Sequence, residues 1–273
     1  SGAFGTGLTT GTDNVAIGEN AGDALTGGTD NTLIGDNAGG ALTTGGSNVA
    51  IGSSALLTED ANGNNVAIGF EALKVQNAGD EAYSVAIGYQ AGVATTTGTA
   101  NTLVGGVSGD AITTGSNNVG VGINSLGSLT TGDGNIAIGT AALDAQTTAS
   151  DNVAIGRGAL GANTSGTNNT AVGSYSLDAN TTGASNTAVG ISALGANTTA
   201  TYNTAVGMDA LKVNTTGEFN VGIGATALTA NTTGTENVAV GVNAIDANTT
   251  GSYNTAVGNG TLSASTTASY NTA

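Results

Sequence analysis

Asn-Thr-Ala-Val-Gly-Ser-Tyr-Ser-Leu-Asp-Ala-Asn-Thr-Thr-Gly-Ala-Ser, residues 169–185, runs directly into Asn-Thr-Ala-Val-Gly-Ile-Ser-Ala-Leu-Gly-Ala-Asn-Thr-Thr-Ala-Thr-Tyr, residues 186–202. These are one 17-residue pattern written twice, and internal repetition of this kind decides architecture before local propensity does. With the opening Asn as position 0, the pattern recurs at Asn14, Asn31, Asn48 and Asn65, then every 17 residues from Asn101 through Asn152, Asn169, Asn186 and Asn203 to Asn271. The interval from Asn65 to Asn101 holds one more unit, opened by Ser84, and splits into 19 and 17 residues. Two residues are therefore inserted near 76–82. Gly occupies position 4 of all fifteen complete units, including Gly18, Gly156, Gly173 and Gly190, and position 3 is always Ile or Val. Residues 1–273 read as a single array of about sixteen units. Gly5, Leu8 and Gly11 match positions 8, 11 and 14, and Asn271-Thr272-Ala273 opens a unit, so both ends fall inside a repeat. A solenoid needs atypical capping repeats, so the chain is expected to be cut from a longer one.

Composition removes most chemistry. The chain has no His, Cys, Pro or Trp, only three basic residues (Lys74, Arg157 and Lys212), and a formal net charge of −16. Zinc ligation by His or Cys, a His general base, thiol catalysis and disulfides all lack their side chains. The acidic balance disfavours nucleic acid and anionic lipid as partners. No stretch is apolar and long enough to be a membrane-spanning helix, and no signal peptide is evident. High Gly with much Asn and Thr can signal disorder, but the apolar residues are too regularly placed for that.

Seventeen residues suit one turn of a parallel β-solenoid with two short strands and two corners. Positions 0–4 are rich in Val, Ile and Thr. Alternation along a strand puts positions 1 and 3 on one face, which is expected to point inward. Gly at position 4 supplies a corner. Positions 7–10 are expected to form a second, weaker strand around Leu at position 8. An αα-solenoid needs longer repeats and tolerates such glycine corners poorly, at about 1 kcal/mol for each interior Gly.

An exchange between units points to one shared interior. Leu160, Leu177 and Leu228 at position 8 accompany Asn163, Asn180 and Asn231 at position 11. Elsewhere Gly22, Gly39 and Gly109 accompany Leu25, Leu42 and Ile112. Most coils keep one large apolar side chain, reached from either position, as a fixed core volume demands, and the coil with Leu126 and Leu129 carries both. Coils stacked about 4.8 Å apart would set Asn over Asn at position 0, in an amide ladder like those of other stacked β structures. Fifteen such steps give a segment on the order of 70 Å long.

Position 2 alternates with 1 and 3 and is expected to face outward. It is small or apolar throughout, with Ala in eleven units, and position 7 is similar. A charge-free stripe of this kind implies cover by another surface, and lateral association of identical chains would supply it.

The Asn-Thr-Ala-Val-Gly-x-x-Ala-Leu-x-x-Asn-Thr-Thr-Gly units of residues 169–258 resemble repeats of phage tail-fibre and bacterial surface fibre proteins. The Asn-Val-Ala-Ile-Gly segments at 14–18, 65–69 and 152–156 also resemble the head repeat of trimeric autotransporter adhesins. The resemblance implies an all-β fold, a left-handed β-roll assembled as a homotrimer, that binds host surfaces or matrix at a cell or virion surface.

No catalytic, cofactor or metal site is expected. The acidic residues are dispersed, without EF-hand or nonapeptide calcium spacing, and a uniform rod implies no cleft, so an enzyme is not expected. Tyr202, Phe219, Tyr253 and Tyr270 recur at position 16, with Tyr83 just before Ser84. They read as corner packing or as an edge that binds a host glycan or protein. Arg157, and Lys74 and Lys212 at position 9, read as isolated surface charges. Thr at positions 12 and 13 raises an ice-binding alternative, but alternation predicts only one outward rank. Asn-x-Ser/Thr acceptors at Asn163, Asn180, Asn197, Asn214, Asn231 and Asn248 read as by-products of the repeat. The expected function is a fibre or adhesin rod for attachment. The alternatives are repeats that are themselves adhesive, or a free ice-binding solenoid.

Overall fold

The computed structural model describes residues 2–5 and 10–273, so Leu8 lies outside the described residues. The chain divides into two compact units, Ser1–Asn135 and Ile136–Ala273. Unit 1 carries β1 (Val15–Ile17), β2 (Thr32–Ile34), β3 (Val49–Ile51), β4 (Val66–Ile68), β5 (Val85–Ile87), β6 (Thr102–Val104) and β7 (Val119–Val121). Unit 2 carries β8 (Ile136–Ile138), β9 (Val153–Ile155), β10 (Thr170–Val172), β11 (Thr187–Val189), β12 (Thr204–Val206), β13 (Val221–Ile223), β14 (Val238–Val240) and β15 (Thr255–Val257). Within each unit every strand pairs in parallel with the next, and equivalent positions face each other: Thr170 pairs Thr187, Ala171 pairs Ala188, Val172 pairs Val189. Across the insertion the register still holds, with Val66 opposite Val85. Each unit is a parallel β-solenoid of 17-residue coils. No helix occurs among the described residues, hence none long and apolar enough to cross a membrane.

Two expectations are corrected. Positions 7–10 form no strand; they are a run of turns in which positions 6 and 8 both take left-handed backbone, as at Tyr175 (φ 57°) and Leu177 (φ 49°). Rungs still cross this segment: the Leu177 N–H donates to Ala193 O at 3.0 Å, and Ala179 N–H to Gly195 O at 3.2 Å. The turn therefore keeps its backbone paired coil to coil without the extended dihedrals of a strand.

The faces of the strand are also reversed. Position 2 points inward and positions 1 and 3 point out: Ala50, Ala154 and Ala171 are fully buried, whereas Ile155 is 37% and Ile223 40% exposed. Position 7 is buried as well, as at Ala38, Ala159 and Ala193. The interior is thus built from positions 0, 2, 7, 8, 11 and 14. Asn at 0 and Leu or Ile at 8 or 11 already fill it. Even at Gly222 an added Cβ would lie 3.3 Å from Leu211 Cγ. Ala is what fits at position 2, so the larger branched residues are left outside.

The exchange of Leu between positions 8 and 11 is seen as expected: Leu160, Leu177, Leu25 and Leu42 are all buried. Position 4 explains its invariance. At Gly190, φ is +136° and an added Cβ would stand 2.4 Å from Gly207 O in the next coil. A side chain there would meet both an unfavourable dihedral and a backbone neighbour.

Candidate functional site

The position-0 ladder forms within each unit. The Asn186 N–H donates to Asn169 Oδ1 at 3.0 Å, and Asn186 Nδ2 donates to the same oxygen at 3.2 Å and to Ala200 O at 2.9 Å. Asn203 N–H in turn donates to Asn186 Oδ1 at 3.0 Å. Asn31 binds Asn14 in the same way, and Asn169 N–H donates to Asn152 Oδ1 at 2.9 Å. Each amide closes a corner and joins two coils, so these residues are structural.

A second ladder was hidden in the sequence. Asn180, Asn197, Asn214, Asn231 and Asn248 donate from Nδ2 to the Oδ1 one coil back at 2.9–3.3 Å. Asn180 also donates to Gly183 O, the carbonyl that accepts from Asn169, so both ladders close on one corner. The six Asn-x-Ser/Thr acceptors, from Asn163 to Asn248, are fully buried. Their amide nitrogens face the interior and are closed to modification in the folded chain.

The insertion leaves one interior patch incompletely satisfied. Position 14 of the Asn65 coil falls in the inserted loop, and Asn65 Nδ2 is buried without a partner. Gln76 Oε1 and Glu59 Oε2 are also buried without partners. Glu59 is fully buried, with Asn62 Nδ2 donating to its Oε1 at 2.9 Å. Burial pushes its carboxyl above the ordinary 4.5, against the hydrogen bonds from Asn62, which lower it.

The aromatic residues of position 16 form an exposed column in unit 2. Tyr202 stacks on Phe219 at 5.1 Å between centroids and 10° between planes, and Tyr253 on Tyr270 at 4.9 Å and 3°. Their exposures run from 45% at Tyr253 to 78% at Tyr270, so a large part of each lies open to solvent. All four backbones are left-handed, with φ of 57–63°, which costs a bulky residue energy. Between the two stacks, position 16 is Glu236, which takes the hydrogen bond of the Tyr253 hydroxyl. The charge of Glu236 and then this bond raise the Tyr253 phenol above its ordinary 10.0. Phe219, Glu236 and Val238 line an open groove of about 480 Å³. Sequence reading missed Glu236, although it is visible as the break in the aromatic series. Tyr83, in unit 1, is exposed.

The basic residues are partnered. Lys74 Nζ lies 2.6 Å from Glu71 and Lys212 Nζ 3.1 Å from Asp209, and the Arg157 guanidinium sits 4.8 Å over the Tyr175 ring. Positions 12 and 13 both lie at the surface, because this segment is a corner and strand alternation does not apply. The position-12 hydroxyl is already spent: Thr181 Oγ1 donates to Thr198 O at 3.0 Å and Thr198 Oγ1 to Thr215 O at 3.2 Å. Among the described residues no group of three or more acidic side chains gathers as a metal site would. Compared with family models, with curated proteins and with solved structures, the chain has no match in any of the three.

Proposed function

We propose that the chain is a rod segment of an extracellular fibre or adhesin, carried on a virion or cell surface and used for attachment to a host or other surface. The observation that supports this most is the outward strand face. Positions 1 and 3 hold only Val, Ile or Thr in all fifteen complete units, with no charged residue, on a chain of net charge −16. A repeating apolar face of this kind calls for cover. A copy of the same chain fits it best, because its rungs repeat at the same spacing. Three copies of a left-handed roll, as in the adhesin heads that the repeat resembles, is the favoured assembly. Neither nucleic acid nor membrane insertion belongs to this reading.

Sedimentation equilibrium tests the assembly: the 25.7 kDa chain should sediment as a trimer, and a monomer at micromolar concentration would refute it. Deleting two whole coils, residues 169–202, tests the role. A spacer keeps attachment and loses only reach. The exposed aromatic column favours a second reading, in which the repeats themselves grip a host glycan or protein. Attachment would then fall with the number of coils removed.

A further inference from the structure

We propose that the break in the aromatic column of unit 2 is a receptor for one arginine side chain of a partner polypeptide. The inference stands on the geometry of unit 2 and does not depend on the fibre reading. Tyr202 covers one face of Phe219, and Tyr270 covers one face of Tyr253. Phe219 and Tyr253 stand two coils apart, with the coil that carries Glu236 between them. Two coil steps separate those rings by roughly 10 Å. A planar cation midway would lie about 5 Å from each centroid, inside the range over which a ring face attracts a cation.

The chain already uses this distance once. Arg157 lies 4.8 Å over Tyr175, one coil further along. At the break the intervening position carries a carboxylate, so the cation must come from outside. The Glu236 carboxylate interacts with the Tyr253 hydroxyl, and a carboxylate can accept two parallel hydrogen bonds from a guanidinium stacked against a neighbouring ring. The groove lined by Phe219, Glu236 and Val238 gives entry from solvent, and Val238 offers an apolar wall for the arginine stem. A net charge of −16 draws a basic partner toward the whole chain. Within the column Glu236 is the carboxylate that falls between two aromatic coils.

The test is a titration of the full chain with acetyl-Gly-Arg-Gly-amide, read from the NMR shifts of the Phe219 and Tyr253 ring protons. Parallel arms use the citrulline and lysine versions of the peptide. Saturable binding of the arginine peptide is expected, at least about fivefold tighter than citrulline, the equivalent of about 1 kcal/mol, and tighter than lysine. Glu236→Gln should weaken it at least about threefold, as should Phe219→Asn, which keeps a residue tolerant of left-handed backbone. Tyr202→Asn, outside the slot, should leave it unchanged, and circular dichroism reports whether each variant is folded. No saturable shift, equal binding of citrulline or lysine, or equal loss from Tyr202→Asn and Phe219→Asn would each overturn the proposal.

Discussion

Leu33 and Gly39 share one volume: a Cβ added at Gly39 would stand 2.8 Å from Leu33 Cδ2. The next coil back does the same, since a Cβ at Gly22 would lie 2.8 Å from Leu33 Cδ1. Leu103 stands in the same relation to Gly92 and Gly109. The two Leu residues at a position otherwise Ala or Gly thus each fill the hollow left by two glycines at position 8.

Leu33→Ala should therefore open a cavity and cost about 2–5 kcal/mol, and Gly39→Leu alone should be destabilising through overpacking. The backbone is no obstacle to Leu at 39, because Leu177 holds the same left-handed conformation at its position 8. The double variant should recover most of the loss, reproducing the Ala171 and Leu177 pair of a later coil. Thermal unfolding of the three variants measures the coupling; simple additivity would contradict it.

Asn186 anchors both neighbouring coils from the interior. Its replacement by Ala leaves the Asn203 N–H without its acceptor and should cost about 1–3 kcal/mol for each buried group left unpaired. Asn186→Asp should be worse at pH 7, since a carboxylate would face Ala200 O and Asn169 Oδ1, both acceptors. Protonation relieves that repulsion, so denaturant melts should show the two variants converging in acid.

Glu59 should make stability depend on pH. Its folded carboxyl titrates above 4.5, so the folded chain holds the proton more tightly than the unfolded one. The stabilisation is complete below the unfolded value and is lost as pH rises through the folded one. Glu59→Gln, a residue already present at position 11 in Gln76 and Gln146, removes the buried charge. It should raise Tm at pH 7 by a few degrees, roughly 1 kcal/mol on a chain of this size, and the gain should vanish below about pH 4. A gain that persists in acid would argue against burial of the charge as its cause.

Two glycines in one coil separate backbone necessity from habit. Gly190→Ala meets Gly207 O at 2.4 Å with φ at +136° and should cost about 3 kcal/mol, combining the dihedral penalty with overpacking. Gly195, at position 9, has no such dihedral, and Asp178 and Lys212 occupy the same place in other coils. Gly195→Ala should be neutral or stabilising by up to about 1 kcal/mol. Parallel melts of the two proteins distinguish these outcomes.

Period, register, the position-4 corner, the Asn rungs and the traded Leu were all legible in the amino-acid order, because stacking forces identical positions into contact and so leaves a mark every 17 residues. Which face of each strand turns inward was not. Alternation separates Val153 and Ile155 from Ala154 but does not say which side encloses the core. Tertiary packing decided it, since a narrow coil already holding Asn and Leu has room only for Ala154. The turn over positions 6–10 and the second Asn ladder also depended on closure of the coil, which alone gives Leu160 and Asn163 the same inward direction. The aromatic series was readable as residues; that its rings stack in pairs and stop at Glu236 follows from the spacing of successive coils.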